Sequence, residues 1–402
     1  MKRAHIILFV SGSLGLGHIS RDLAVAHEIR QLHPDIEIQW LAAGPARMVL
    51  EQGKERLIPQ SDGYPDVNEA AAHAAQGTWL NIYRFGKIMG PIWLRTIDLF
   101  KKILTIYHFD LVVADEAFEI SYFMQTDKNT LKPLYVEIID FIGLEPMTCD
   151  PRELLKCYIM NWVWARDFKK QTHRLRSLFV GEPDDVPEKR FGPFLPGRRK
   201  YARRKCIFLG YILNFRPDKL PDRDTIRGSL GYGKEPLIIC SPGGTSIGRE
   251  LLDLCAGAYT LLKKQLGDVR MVPVCGPLIS TESICAPKGV EIRGYVPKLY
   301  EHFAACDLAI VQGGGTSTLE LTALNKPFLY FPVEGHFEQQ HFITERLKRH
   351  GAGVCMSYRS TTKERLAEQI LELVGKNAEY RPIPVDGAQK AALEIVKILE
   401  NV

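Results

Sequence analysis

The chain has no apolar run near the ~18 residues that a membrane-crossing helix requires, so no transmembrane segment is expected. It also has no C-x-x-C pair. Its nine cysteines, scattered from Cys149 to Cys355, are odd in number, which disfavours both a disulfide framework and a zinc site and points to a reducing, cytoplasmic setting. Repeats of ~20–50 residues and low-complexity tracts are missing as well, which excludes solenoids. What is present is ordinary globular composition: 402 residues, 46% hydrophobic and 25% charged. At ~100–200 residues per domain, that length predicts two packed domains. Met1-Lys2-Arg3 before Ile6–Val10 has the outline of a short secretory signal. The apolar run enters a Gly-rich loop rather than a small-residue cleavage site, and is read as a first strand.

The net charge of +5 is modest but unevenly spread, since residues 151–205 carry 15 Lys/Arg against 6 Asp/Glu. The densest run, Arg198 to Lys205, reads either as a solvated connector or as a surface for anionic lipid, a phosphorylated acceptor or nucleic acid. No nucleic-acid motif or aromatic platform accompanies it, so nucleic acid is not expected as a partner. From Trp79 to Tyr107, Trp79, Ile82, Phe85, Ile88, Ile92 and Trp93 recur at helical spacing with basic residues between them. This predicts two amphipathic helices, broken at Gly90 with Pro91 opening the second, that face either a core or a membrane surface.

Strand and helix alternate twice. His5–Val10, Ile36–Leu41, Leu111–Ala114 and Pro133–Ile138 read as strands of the first series, with a helix at Ile19–Leu32. Leu237–Cys240, Val269–Val274, Val290–Arg293, Leu308–Val311 and Phe328–Phe331 read as strands of the second, with a helix at Arg249–Leu266. Such βα alternation implies an α/β fold of two doubly wound, Rossmann-like domains facing a cleft. The expected limits are 1–212 and 213–385 for the two domains, which the resemblance described below makes an acceptor-binding and a nucleotide-sugar-binding domain, with a C-terminal helix at 386–402 able to pack back on the first.

Three loops carry chemistry. Ser11-Gly12-Ser13-Leu14-Gly15-Leu16-Gly17-His18 leaves a strand and opens a helix, where unpaired N–H groups meet a ligand. Its glycines do not match G-x-G-x-x-G, and no acid ends strand Ile36–Leu41, which disfavours a nicotinamide enzyme. A G-x-x-x-x-G-K-[ST] loop is absent too. Ser241-Pro242-Gly243-Gly244-Thr245-Ser246 and Gln312-Gly313-Gly314-Gly315-Thr316-Ser317-Thr318 both end strands of one sheet, a pair suited to a diphosphate. Glu320, in the first turns of the following helix, is placed to accept both hydroxyls of a ribose or to serve as a helix-dipole partner. Phe331-Pro332-Val333-Glu334-Gly335-His336-Phe337-Glu338-Gln339-Gln340 adds acid and amide groups of the kind that bind sugar hydroxyls.

Together these residues resemble those of GT-B nucleotide-sugar glycosyltransferases, above all the MurG and diacylglycerol galactosyltransferase branch, with features of the UDP-glycosyltransferases. The likeness is most specific from Gly294-Tyr295-Val296-Pro297 to Gln340, with Gly17-His18 as a second anchor, and weakest between about Asp62 and Phe208. It implies that the backbone at Val296 reads a uracil edge and that Thr245, Gly314, Gly315, Thr316 and Ser317 hold the diphosphate. It assigns Glu320 to the ribose, Glu338, Gln339 and Gln340 to the transferred sugar, and Gly15 and Gly17 to the acceptor loop. His18 resembles the base that takes the acceptor proton, with Asp115 as its carboxylate partner and Glu116 and Glu137 as rivals for that place. Two departures stand out: Gln312 where relatives carry His or Arg, and Glu338 where Asp is commoner.

The implied reaction is inverting transfer from a UDP-sugar co-substrate to a hydroxyl acceptor, with no metal and no further cofactor. The acceptor is expected to be lipid-linked, with the chain peripheral on the inner face of an anionic membrane. Asp222-Arg223-Asp224, the one D-x-D match, follows no apolar strand and reads as a helix start. A UDP-sugar 2-epimerase of the same shape and a non-catalytic sugar-nucleotide-binding subunit are the alternatives.

Overall fold

The computed structural model describes residues 5–12, 14–127, 132–166 and 175–400. Met1-Lys2-Arg3, Ser13 of the first Gly-rich loop and the last two residues lie outside them. Among the described residues no helix is long and apolar enough to cross a membrane.

The strands are, in chain order, β1 (Ile6–Ser11), β2 (Glu37–Ala42), β3 (Ala75–Gln76), β4 (Trp79–Leu80), β5 (Leu111–Asp115), β6 (Leu134–Ile139), β7 (Leu175–Val180), β8 (Cys206–Gly210), β9 (Leu237–Ser241), β10 (Arg270–Pro273), β11 (Leu308–Gln312), β12 (Phe328–Phe331) and β13 (Val354–Cys355). They divide between two compact units. Unit 1 comprises Met1–Ala74, Asn81–Asn214 and Pro384–Val402; unit 2 comprises Ala75–Leu80 and Phe215–Ile383.

Unit 1 is built on a parallel sheet of order β2-β1-β5-β6-β7-β8. Continuous apolar strands such as Ile6-Ile7-Leu8-Phe9-Val10 suit a sheet covered on both faces. Ile7, Phe9, Leu111 and Val113 pack against Val25, Ala26 and Ile29 of helix Gly17–Leu32 and against Ala391, Ile395 and Leu399 of helix Gly387–Glu400. The alternate residues Leu8, Val10, Val112 and Ala114 meet Phe100, Ile103, Ile120 and Phe123 on the other face. The C-terminal helix is reached through a tight crossing, with Tyr211 N–H on the Pro384 carbonyl (2.8 Å) and Gly387 N–H on the Tyr211 carbonyl (3.1 Å). Gly210, at φ +75°, is needed there because a Cβ would stand 3.0 Å from the Pro384 carbonyl oxygen.

Unit 2 repeats the plan on a parallel sheet of order β10-β9-β11-β12-β13. Ile238, Cys240, Ile310 and Leu329 face helices Arg249–Leu266 and Lys363–Leu373, while Ile239, Ala309 and Val311 face Phe303, Leu321, Ile343 and Leu347.

Three expectations need correction. Val290–Arg293 is not a strand of the sheet; it contributes one isolated bridge, Val274 to Arg293, between Gly289 and the Gly294 loop. The amphipathic segment is not two helices from Trp79. Trp79 lies in β4, and a single 25-residue helix, Ile82–Ile106, carries Pro91 in its interior. Pro91 is exposed, so water can take the Lys87 carbonyl whose helical donor it removes. The basic run 198–205 is an eight-residue helix rather than a connector. Its first residue, Arg198, is buried, with Nη1 3.0 Å from Glu145 Oε1 and Nη2 on the Leu144 carbonyl, so part of that charge is structural.

Candidate active site

In a doubly wound sheet, ligands collect where consecutive strands diverge to opposite sides, at the carboxyl ends of the strands. In unit 1 that point lies between β1 and β5, and in unit 2 between β9 and β11. The Gly-rich loops leave these strands.

At the unit 1 edge, Gly15 has φ +74° and its N–H donates to Asn68 Oδ1 at 2.8 Å, while Gly17 begins the helix that carries His18. His18 Nδ1 lies 3.1 Å from Asp115 Oδ1 at the end of β5, and its Nε2 lies 3.9 Å from Glu116 Oε2. Glu116 is held at φ +50°, a conformation that costs a non-glycine residue about 1 kcal/mol or more and persists only where the surroundings enforce it. Glu137, the other rival, is hydrogen-bonded on β6 to Ser121 (2.5 Å) and Ser177 (3.3 Å).

The centre of this cluster is a residue that motif reading did not single out. Arg21, one turn after His18 on the same helix face, is buried, with Nε 2.6 Å from Asp115 Oδ2 and Nη1 2.5 Å from Asp140 Oδ2. Its Nη2 also reaches Asp115 Oδ1, lies 3.5 Å from Glu116 Oε1 and approaches His18 Nδ1 at 2.9 Å. Burial opposes the Asp115 charge, but Arg21 and His18 outweigh it and hold the carboxyl well below its ordinary range. Asp140 is lowered too, against its burial, chiefly by Arg21. Asp22, fully buried beside them, is shifted the other way, above the ordinary carboxylate range, by burial and by the Asp115 charge. His18 Nδ1 thus sees an acceptor and a donor. With its proton on Nδ1 it bonds Asp115 and presents a basic Nε2; with the proton on Nε2 it accepts from Arg21.

At the unit 2 edge, the loop after β9 is braced internally: Ser241 Oγ accepts from Gly243 N–H (3.2 Å) and Thr245 Oγ1 donates to the Ile247 carbonyl (3.1 Å). After β11, the N–H groups of Gly313 and Gly314 are taken by the Phe331 (3.1 Å) and Gln312 (2.8 Å) carbonyls. Helix Gly315–Ala323 then begins, and helix geometry leaves the first-turn amides of Gly315, Thr316 and Ser317 as the anion donors. Arg346 of helix Thr344–His350, also outside the motif reading, places Nη2 3.5 Å from the Gly315 carbonyl. It brings a cation beside the loop that lacks one at Gln312. Glu320, one turn further, is buried, and burial pushes its carboxyl up to about 8. Val296 lies half-buried in the loop before helix Leu299–Ala305, whose Tyr300 stacks on Phe215 at 4.3 Å.

The turn after β12 runs into a π-helical segment, Glu338–Ile343. Its amides are partly spent on the turn itself: Gln339 Oε1 accepts from Val333 N–H (2.8 Å), and Gln340 Nε2 donates to the Pro332 and Val333 carbonyls (3.1 and 3.2 Å). What Gln339 can offer a ligand is therefore its NH2 end. Asp222 caps helix Arg223–Leu230 by accepting from the Asp224 and Thr225 N–H groups, both at 3.0 Å.

Residues 238–397 match the glycosyltransferase family 28 C-terminal domain. An uncharacterized glycosyltransferase of Methanopyrus kandleri is 30% identical over 49% of this chain and 55% of its own length, so the chain spans about half of that relative. One from Methanosarcina mazei is 26% identical over 97% of this chain and 94% of its own length. The UDP-N-acetylglucosamine–N-acetylmuramyl-(pentapeptide) pyrophosphoryl-undecaprenol N-acetylglucosamine transferase of Clostridioides difficile is 22% identical over 92% and 81%. Among solved structures, the kitacinnamycin glycotransferase superposes with a TM-score of 0.60 at 14% identity, covering 100% of this chain and 96% of that one. A spinosyn rhamnosyltransferase complexed with thymidine diphosphate gives 0.56 at 13% identity, covering 99% and 96%.

The chain has the GT-B glycosyltransferase fold. The family 28 match contains the unit 2 candidates from Thr245 to Gln340, while Asp222 lies before it. Arg21 and Asp22 lie outside it, in the unit 1 helix. A signal for Asp22 was present: the buried face of that helix runs Ile19, Asp22, Ala26, Ile29, and an acid within an apolar stripe calls for a partner.

Proposed function

We propose that the chain is a glycosyltransferase that moves a sugar from a UDP-sugar to a hydroxyl acceptor with inversion, unit 2 holding the donor and His18 taking the acceptor proton. The observation that carries the donor half is the convergence, on adjacent strands β9 and β11, of two Gly-rich loops with Glu320 buried one turn beyond. First-turn amides at Gly315, Thr316 and Ser317 suit the charge that builds on a departing diphosphate. Uridine as the base is supported by the Clostridioides relative, whose donor is UDP-N-acetylglucosamine.

For the acceptor half, Asp115 is fully buried and His18 is 17% exposed, so the imidazole is the member of the pair that a substrate can reach. With Nδ1–H on Asp115, Nε2 accepts the hydroxyl proton as oxygen attacks the anomeric carbon, and the nucleoside diphosphate leaves. The reading needs no metal ion. The side chains of His18, Asp115 and Glu116 come within 4.8 Å of one another, and the cation lodged among them is the Arg21 guanidinium. His18→Ala should lower kcat by roughly 10²–10⁴-fold while leaving the Kd for UDP within twofold. Product analysis with UDP-, GDP- and TDP-sugars, with and without acceptor, checks this; free epimerised sugar would establish the epimerase instead, and an unchanged rate in the variant would remove His18 from the mechanism.

The same proposal places the acceptor in lipid and the chain on the cytoplasmic face of an anionic membrane. Helix Pro151–Arg166 supports it, since it is turned inside out. It buries Glu153, Cys157, Asn161 and Ala165, and exposes Leu154, Leu155, Ile159 and Trp162. Asn161 explains the inversion by pinning the Leu144 N–H and carbonyl and the Phe191 carbonyl at 2.7–2.9 Å. Exposed Arg152 and Arg166 flank the apolar stripe, and Phe194 is 98% exposed on a neighbouring turn. Apolar insertion plus basic flanks is the pattern of an interfacial helix. Cosedimentation with vesicles containing phosphatidylserine should be strong at low salt and weakened about tenfold by Trp162→Ser with Leu155→Ser. Equal binding by that variant would leave a soluble acceptor.

A further inference from the structure

The hairpin β3–β4 belongs to unit 2 although the chain before and after it belongs to unit 1. Its strands pair Ala75 with Leu80 and Gln76 with Trp79 around Gly77, at φ +58°. The second strand is stitched to the turn after β12: Leu80 N–H donates to the Glu334 carbonyl (2.8 Å), and Glu334 N–H donates to the Thr78 carbonyl (2.9 Å). Trp79 then lies against Gly335. A Cβ there would stand 2.5 Å from the Leu80 carbonyl oxygen and 3.0–3.1 Å from the indole, and φ is +75°, so only glycine fits beneath this indole. Beyond the ring, the Arg359 guanidinium carbon is 5.5 Å from the indole centroid, and its Nε is 3.0 Å from Glu334 Oε1. Glu334 is thus gripped by backbone and side chain together.

This turn leads into the π-helical segment that carries Glu338 and Gln339. Segment 332–335 is fixed from one side by Gln339 and Gln340, and from the other by the hairpin. We propose that Trp79 and Leu80 are positioning residues for the transferred sugar, holding the Glu334-Gly335 turn so that Glu338 and the Gln339 NH2 meet the sugar hydroxyls. The inference rests on the reading of Glu338 and Gln339 as sugar contacts. It places the control of sugar fit in a six-residue insert from the N-terminal half of the chain. Because the diphosphate loops follow β9 and β11 rather than β12, the hairpin acts on the sugar and not on the nucleotide.

The test compares UDP with the UDP-sugar the enzyme uses. Trp79→Ala should raise the donor KM about tenfold and relax the preference among UDP-sugars, while the Kd for UDP stays within twofold; Trp79→Phe should restore most of the loss. Gly335→Ala, which wedges the same contact from the other side, should reproduce the effect. An equal weakening of UDP and UDP-sugar, or no change in either variant, overturns the proposal. Glu338→Ala measured alongside separates the two layers. If it loses the sugar preference and Trp79→Ala does not, the hairpin inference alone fails; if both are silent, the sugar-contact reading falls with it.

Discussion

Replacing Arg21 by Met should lower the melting temperature by roughly 10 °C at pH 7, since breaking a buried ion cluster costs about 3–5 kcal/mol and each kcal/mol is worth ~2–4 °C in a domain of this size. The methionine would leave Asp115, Asp140 and Glu116 facing one another without the cation that joins them. The sign of the pH dependence follows from the directions of the shifts. In the native chain Asp115 and Asp140 are depressed, so their contribution is present above the ordinary carboxylate range and is lost as pH falls through the folded values. In the variant the stranded carboxyls favour protonation, so stability should recover as pH falls and the gap to the native chain should narrow below about pH 5. Thermal melts of both proteins from pH 4.5 to 8 measure this; a gap independent of pH would show that Arg21 acts by packing rather than by charge. Arg21→Lys should recover only part of the loss, because a point ammonium cannot bond both Asp115 oxygens and Asp140 at once.

The second large effect is expected at Glu320. Its carboxyl is pushed up to about 8 by burial, so in the unliganded chain it is mostly protonated at neutral pH. Here the native state holds a proton that the unfolded state has lost, and stability attributable to this group falls as pH rises from about 4.5 to about 8. If ribose hydroxyls donate to the carboxylate, UDP binding must expel that proton. Titration calorimetry near pH 7 in buffers of different ionisation enthalpy should then show release of close to one proton per UDP, and affinity should rise towards pH 8.5. Glu320→Gln should abolish the proton release and weaken UDP by about 30- to 700-fold, from two charge-assisted bonds together worth about 2–4 kcal/mol. The same variant should melt higher than the native chain at pH 8 without ligand. Tight UDP binding with no proton release in the native chain would remove Glu320 from the nucleotide site.

The fold was legible where its cause is local. A strand such as Leu237-Ile238-Ile239-Cys240 running into Pro-Gly-Gly and then a helix announces a βα unit by itself, because parallel strands buried on both faces must be apolar throughout and the following turn must admit positive φ. The short edge strand β13 and the hairpin β3–β4 were not legible, since two-residue strands carry no periodicity and exist only because a neighbour supplies the ladder. Pro91 differs for a related reason: proline argues for a helix start, but at an exposed position water can take the Lys87 carbonyl it leaves without a donor, and the helix runs through it.

From its residues alone, then, the chain specified two α/β units, the Gly-rich turns at their strand ends and an acid one turn into the third-loop helix, since backbone sterics and hydrophobic period act over a few residues. Only the tertiary structure decided which charges meet and which apolar faces stay outside. Arg21 reaches Asp115 and Asp140 across some 94 and 119 residues of sequence. Helix Pro151–Arg166 shows its leucines to solvent because Asn161 and Glu153 have backbone groups to satisfy inside. Polar satisfaction at a distance has no period, and it is settled only when the elements have packed.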